Sequence, residues 1–116
     1  MDIDELCKSA YQVANEHGFW EDYDNALNHA ITTTQEARKQ AVNNAVCTRL
    51  MGIVREAGEA MEALRLGDEI NFNEELADIF ITLGDLCGGL VIDIKPFIKV
   101  NIEKNRKRPY KHGKQF

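Results

Sequence analysis

"REAGEAMEALRLGDEINFNEELAD", residues 55–78, decides how the whole chain is read. Its first half continues an apolar stripe, Leu50, Ile53, Val54, Ala57, Met61 and Leu64, that recurs at helical spacing. Gly67 stops that helix, and a second apolar series, Leu76, Ile79, Phe80 and Leu83, follows at the same spacing. Only "RLGDEINFN", residues 65–73, joins the two, so they are predicted to form an antiparallel hairpin whose apolar stripes meet. Each helix also carries two acidic residues three apart at the edge of its stripe: Glu56 with Glu59, and Glu75 with Asp78. At about 100° per residue such a pair spans roughly 60° of the helix face, so both members reach one point outside the helix. The two pairs are predicted to face one another across the hairpin.

Working outward, the chain reads as helical nearly throughout. "DIDELCKSAYQVANEHG", residues 2–18, sets Leu6, Ala10, Val13 and Ala14 on one stripe and ends at Gly18. Residues 19–29 read as a loop. The long helix is predicted from about Thr33 to Leu66, a third from about Phe72 to Cys87, where Gly88 and Gly89 stop it, and a fourth from about Ile94 to Lys107. Pro96 suits the first turn of that last helix, where its missing N–H costs nothing. Strand signals are weak and internal repeats absent. The expectation is one all-α domain over residues 1–116, a bundle of about four helices.

Length and composition agree: 116 residues leave room for one modest core. No apolar run approaches the roughly 20 residues of a membrane span, and "MDIDELCKSA" lacks the basic then apolar character of a secretory signal. The chain is therefore read as cytoplasmic, with no membrane partner. Cys7, Cys47 and Cys87 lack zinc-site spacing and are expected to be buried free thiols. Net charge is −5, yet residues 95–116 hold eight of the fourteen Lys and Arg and one of the nineteen acids, a local +7 that leaves −12 elsewhere. The acidic body would repel a duplex backbone, which argues against nucleic acid as a partner.

Four carboxylates converging on one spot repel, and each would rather protonate than stay charged beside the others. A divalent cation removes that cost. Oxygen ligands without His or Cys at suitable spacing favour a hard ion, Mg²⁺ with Mn²⁺ as the alternative, over zinc. A di-iron bundle needs Glu-x-x-His, and none of His17, His29 and His112 lies three residues after a Glu.

The two motifs, "EAGE" and "ELAD" separated by fifteen residues, resemble the signature of the MazG-like family of all-α nucleoside triphosphate pyrophosphatases. The flanking "GFWED" and "NRKRPYKHGKQF" resemble segments of small members, and the likeness spans residues 17–116. It implies a Mg²⁺-dependent enzyme that cuts a nucleoside triphosphate between its α and β phosphates, releasing a monophosphate and pyrophosphate. By this resemblance Glu56, Glu59, Glu75 and Asp78 are the metal ligands, and Glu56 or Glu59 polarises the attacking water. Lys104, Arg108, Lys111 and Lys114 would hold phosphate charge, with Asn105 and Arg108 matching the family's Asn-x-x-Arg-Pro stretch. Asn101 stands where many members place a Lys, so Lys104 or Lys99 would substitute. Trp20 is implied in nucleobase stacking, with core packing as the other reading of the same residue. Assembly into a homodimer or homotetramer is also implied. The alternatives are a narrower relative, dUTPase-like or a phosphoribosyl-ATP pyrophosphatase, and a helical interaction module without enzymatic activity.

Overall fold

Asp2 starts the first helix of the computed structural model, which describes residues 1–28 and 34–110: its carboxylate accepts the Glu5 backbone N–H at 2.9 Å. Helix α1 (Ile3–Glu16) then runs to a turn at Gly18, whose φ of +83° is open to glycine at little steric cost. The chain next forms a short helix, α2 (Glu21–Asn28), where the sequence reading has a loop. Eight residues are too few for a clear periodic signal. Glu21, Asp22 and Asp24 fall in its first turn, where the helix dipole favours negative charge, and Ala26 is buried. Helix α3 (Gln35–Leu66) is capped by Thr34 and ends at Gly67, with φ of +72°. Asp68 immediately caps α4 (Glu69–Gly89), which therefore begins three residues before the expected Phe72. Helix α5 (Lys95–Arg106) has Pro96 in its first turn, as read from the sequence. The described residues thus hold five helices rather than four, and no strand.

Helix α4 is the centre of the arrangement, packing against α1 and α3, while α2 lies on α3. Gly88 and Gly89 do not end it; they let other groups approach. A Cβ on Gly88 would lie 2.4 Å from the Cys7 carbonyl oxygen, and one on Gly89 would lie 2.0 Å from the Trp20 ring. Trp20, 1 % exposed, is the largest fully buried side chain. Its ring meets those of Tyr11 and Tyr23 edge-on at centroid separations of 5.3 and 5.2 Å.

The apolar stripes meet only in part: Ile53, Ala57 and Ile79 are half-buried. Ala45, Ala60 and Ala63 are the buried apolar residues of α3, whereas Leu50, Val54, Met61, Leu64, Leu76 and Phe80 are each at least 40 % exposed. Small side chains let the hairpin helices come together, and several of the larger ones remain outside this contact. A monomer of 13.2 kDa exposes about 6,400 Å²; this chain exposes 9058 Å². Its radius of gyration is 17.5 Å, against about 13 Å for a compact chain of this length. Helix α5 buries no residue, and Lys95 at its start pairs with Asp4 of α1 at 2.9 Å. Of the three thiols only Cys87 is buried as expected; Cys7 is half-buried, and Cys47 is exposed on α3. Burial pushes the Cys7 and Cys87 thiols above their ordinary pKa.

After Leu90 the chain leaves α4 through a pair of backbone bonds, Val91 N–H to the Gly88 carbonyl at 3.2 Å and Ile92 N–H to that of Cys87 at 2.9 Å. Val91 carries the positive φ of 55° that this termination requires, yet it is β-branched and 90 % exposed. Two substitutions two positions apart are therefore expected to act in opposite directions. Gly89→Ala should destabilise by about 2 kcal/mol or more by overpacking against Trp20, while Val91→Gly should stabilise by about 1 kcal/mol by relieving backbone strain. Urea denaturation of the two variants checks both signs.

Candidate functional site

The short turn at Gly67 and Asp68 fixes an antiparallel register between α3 and α4. Gly52 of α3 faces Thr82 of α4, with a Cβ at Gly52 falling 3.6 Å from the Thr82 methyl. One turn along, Glu56 meets Glu75 and Asp78: one oxygen from each lies within 4.8 Å of the others. Glu59 is exposed at the edge of this group and acts on Glu75. The hairpin thus brings both carboxylate pairs to one place, with Glu56, Glu75 and Asp78 forming the tight set.

The electrostatics follow from crowding. The Glu75 carboxyl is pushed up to about 7, first by the hydrogen bond it shares with Glu56, then by loss of solvent and by the charge of Glu59. Burial pushes Glu56 upward, but hydrogen bonds from Glu75, Arg55 and Glu59 outweigh it and hold its carboxyl below the ordinary value. Arg55 sits 3.3 Å from the Glu56 carboxylate. Glu75 Oε2 is buried with no hydrogen-bond partner among the described residues.

These residues fit a hard divalent cation. All donors are carboxylate oxygens, and opposite ligands of a Mg²⁺ ion are about 4 Å apart, so small side-chain rotations suffice to surround one. The orphaned Glu75 oxygen would gain the partner that the protein does not give it.

Two turns along the same stripe of α4 from Asp78 stands a second group that sequence reasoning missed. Trp20 Nε1 donates to Asp85 Oδ1 at 2.6 Å, and the Arg49 guanidinium lies 3.8 Å over the Trp20 ring. Arg49, buried on α3, also donates to Asp22 at 2.9 Å and to the Phe19 and Ala45 carbonyls. The available signal was a charged residue between Ala45 and Gly52, on the face that α3 turns inward. Burial raises the Asp85 pKa, while the Trp20 N–H and the charge of Arg49 favour the ionised form.

Of the remaining expected site residues, Trp20 is a core side chain, with its ring enclosed by Arg49, Tyr11 and Tyr23. Its neighbour Phe19 is the exposed aromatic of that turn, at 71 %. Lys104, Asn105 and Arg108 are exposed, and the substantial helix packing among the described residues involves α1 to α4 and not α5. Lys111 and Lys114 lie outside the described residues.

Comparison with known proteins finds no match, whether among protein-family models, curated proteins or solved structures.

The raised Glu75 value has a definite sign. A carboxyl that holds its proton more tightly when folded supports the fold at low pH, and that support is lost as pH rises through about 7. With a chelator present, the melting temperature is expected to fall between roughly pH 4.5 and pH 7, and Glu75→Gln should flatten the fall. Millimolar Mg²⁺ should raise the melting temperature of the native chain, most at the alkaline end, where its ligands are ionised.

Proposed function

We propose that the protein is a Mg²⁺-dependent hydrolase that cleaves a nucleoside triphosphate to the monophosphate and pyrophosphate. The observation that carries this reading is the convergence of Glu56, Glu75 and Asp78 from two antiparallel helices, with Glu59 at their edge. The order and spacing of these acids are those for which the sequence resembles MazG-like pyrophosphatases.

Glu56, Glu59, Glu75 and Asp78 would hold the ion, which when bound supplies charge neutralisation for a triphosphate and a water of lowered pKa. Mn²⁺ would fit the same oxygen donors. Glu56 is the better placed of the first pair to accept a proton from water near the cluster. It is half-buried and belongs to the tight set that would hold the ion. Glu59, more exposed, completes the acidic rim. The basic Lys104 and Arg108, with the amide of Asn105, have the chemistry to bind phosphate, and this end of the chain would have to reach a carboxylate cluster by movement or from another copy of the chain.

The exposed surface supports assembly into a homodimer or homotetramer. About 2,600 Å² beyond the area of a compact monomer is exposed, including Val54, Met61, Leu64 and Phe80 of the hairpin. Obligate interfaces bury about 2,000 Å² or more in total. Light scattering coupled to gel filtration is expected to give at least twice the 13.2 kDa chain mass.

The activity is tested by incubating the protein with a panel of ordinary and modified nucleoside triphosphates and Mg²⁺, measuring pyrophosphate and phosphate separately. Pyrophosphate without free phosphate is the expected product. Asp78→Ala and Glu56→Gln should each lower kcat by about a hundredfold or more while leaving far-ultraviolet circular dichroism unchanged. Near-native turnover in both variants would remove the cluster from the chemistry.

A further inference from the structure

Helix α1, the turn after it and α4 border an open cavity of 560 Å³ lined mainly by apolar residues, among them Leu6, Val13, Phe19 and Ile81, with Ser9 and His17 on the α1 side. Two polar groups of α4 also line it, Thr82 and Asp85. Asp78, Thr82 and Asp85 occupy one stripe of the helix, and the Thr82 hydroxyl donates to the Asp78 carbonyl at 2.8 Å. The cavity therefore begins one helical turn from the carboxylate cluster. Asp85 stands about 10 Å of helical rise beyond Asp78.

Among the described residues, the hydrogen bond that reaches the Asp85 carboxylate comes from Trp20 and falls on Oδ1. Oδ2 has no partner among the described residues, and Asp85 lines the cavity, so an occupant can supply one. The occupant must be flat enough to lie against Phe19, largely apolar, and able to offer an N–H to a single carboxylate oxygen. A nucleobase has these properties, and a sugar bridges the distance from the cluster to Asp85.

We propose that this cavity receives the base of the nucleotide and that Asp85 selects bases carrying the amino group N4 or N6, cytosine and adenine above uracil and thymine. The proposal rests on the nucleotide-hydrolase reading of the carboxylate cluster and adds the substrate class. Cytosine N4 and adenine N6 donate hydrogen bonds, whereas uracil and thymine present the O4 acceptor at the corresponding edge. An acceptor facing Asp85 leaves two oxygens opposed and a part-buried carboxylate unpaired, which such a site disfavours.

The chemistry predicts an inversion. In Asp85→Asn the amide oxygen still accepts from Trp20, so the amide N–H₂ points where Oδ2 was and favours a carbonyl. The probes are deoxycytidine and deoxyuridine without phosphate or metal, titrated while the indole N–H resonance of Trp20, the sole tryptophan, is followed by NMR. The native chain is expected to bind deoxycytidine about tenfold more tightly than deoxyuridine, with the Trp20 resonance shifting, and Asp85→Asn should reverse that order. Equal affinities, no nucleoside binding, or the same order in a folded Asp85→Asn would overturn the proposal. Because the native chain alone must show the preference, a variant that fails to fold does not protect it. Turnover of all triphosphates at equal kcat/KM with equal nucleoside affinities would sink the base-selection proposal and leave the hydrolase standing. Selective nucleoside binding without any turnover would do the reverse.

Discussion

A buried cation holds the middle of this molecule. Arg49 is 8 % exposed, and a guanidinium removed from water is costly unless its charge and most of its N–H groups are answered; its Nε–H is buried without a partner among the described residues. Asp22 answers the charge from α2, the Ala45 carbonyl takes one N–H from within α3, and the Phe19 carbonyl takes another from the turn before α2. The flat face lies on Trp20, which passes the connection to Asp85 on α4. One side chain thereby ties together three helices and the turn that follows a fourth. Removing Asp22 would leave the buried guanidinium without its counter-charge, at a cost below the roughly 3–5 kcal/mol of a fully buried pair, because Asp22 is itself 47 % exposed.

The helical class, the helix-ending glycines at 18 and 67, and the facing carboxylate pairs were legible because each depends on local chemistry. Spacing along a helix puts Glu56 beside Glu59 and Glu75 beside Asp78 before any tertiary contact exists, and a short connection leaves few ways to arrange the two helices. Other features were hidden because they depend on what lies across a contact. Gly88 and Gly89 read as a stop, yet they stay helical because Cys7 and Trp20 occupy the space where side chains would be. The long apolar stripe of α3 suggested the hairpin contact, whereas the residues of α3 most fully buried are alanines, and several larger members of the stripe stay exposed. Trp20 could not be assigned from sequence, because a loop aromatic serves stacking or packing equally well until its neighbours are known. Phe19 and Trp20 are adjacent in the chain, and the turn sends one outward and the other inward.

Helix α4 reconciles two demands that conflict in most helices. Its C-terminal half is stripped of side-chain bulk to accept α1 and Trp20, while its N-terminal half keeps Glu75 and Asp78 at a crowded, partly dry boundary with α3. Crowded carboxylates weaken a fold, and close packing strengthens it. Placing them at opposite ends of one rigid element allows the strained end to be held by the packed end, an arrangement found where a site must be preorganised.

The hydrogen bond from Trp20 to Asp85 joins residues 65 positions apart, whereas the α3 and α4 hairpin is closed by a turn of two residues. Loop-closure entropy orders such events, because a contact between distant segments becomes affordable only after nearer ones have shortened the effective path. The hairpin can therefore form ahead of the docking of α1 and α2, and the carboxylates can meet while the indole is still in water. Excited at the red edge, where tyrosine does not absorb, this chain fluoresces from that one indole. It reports the closing of the bundle over the hairpin, and it is silent about the step that assembles the acidic cluster.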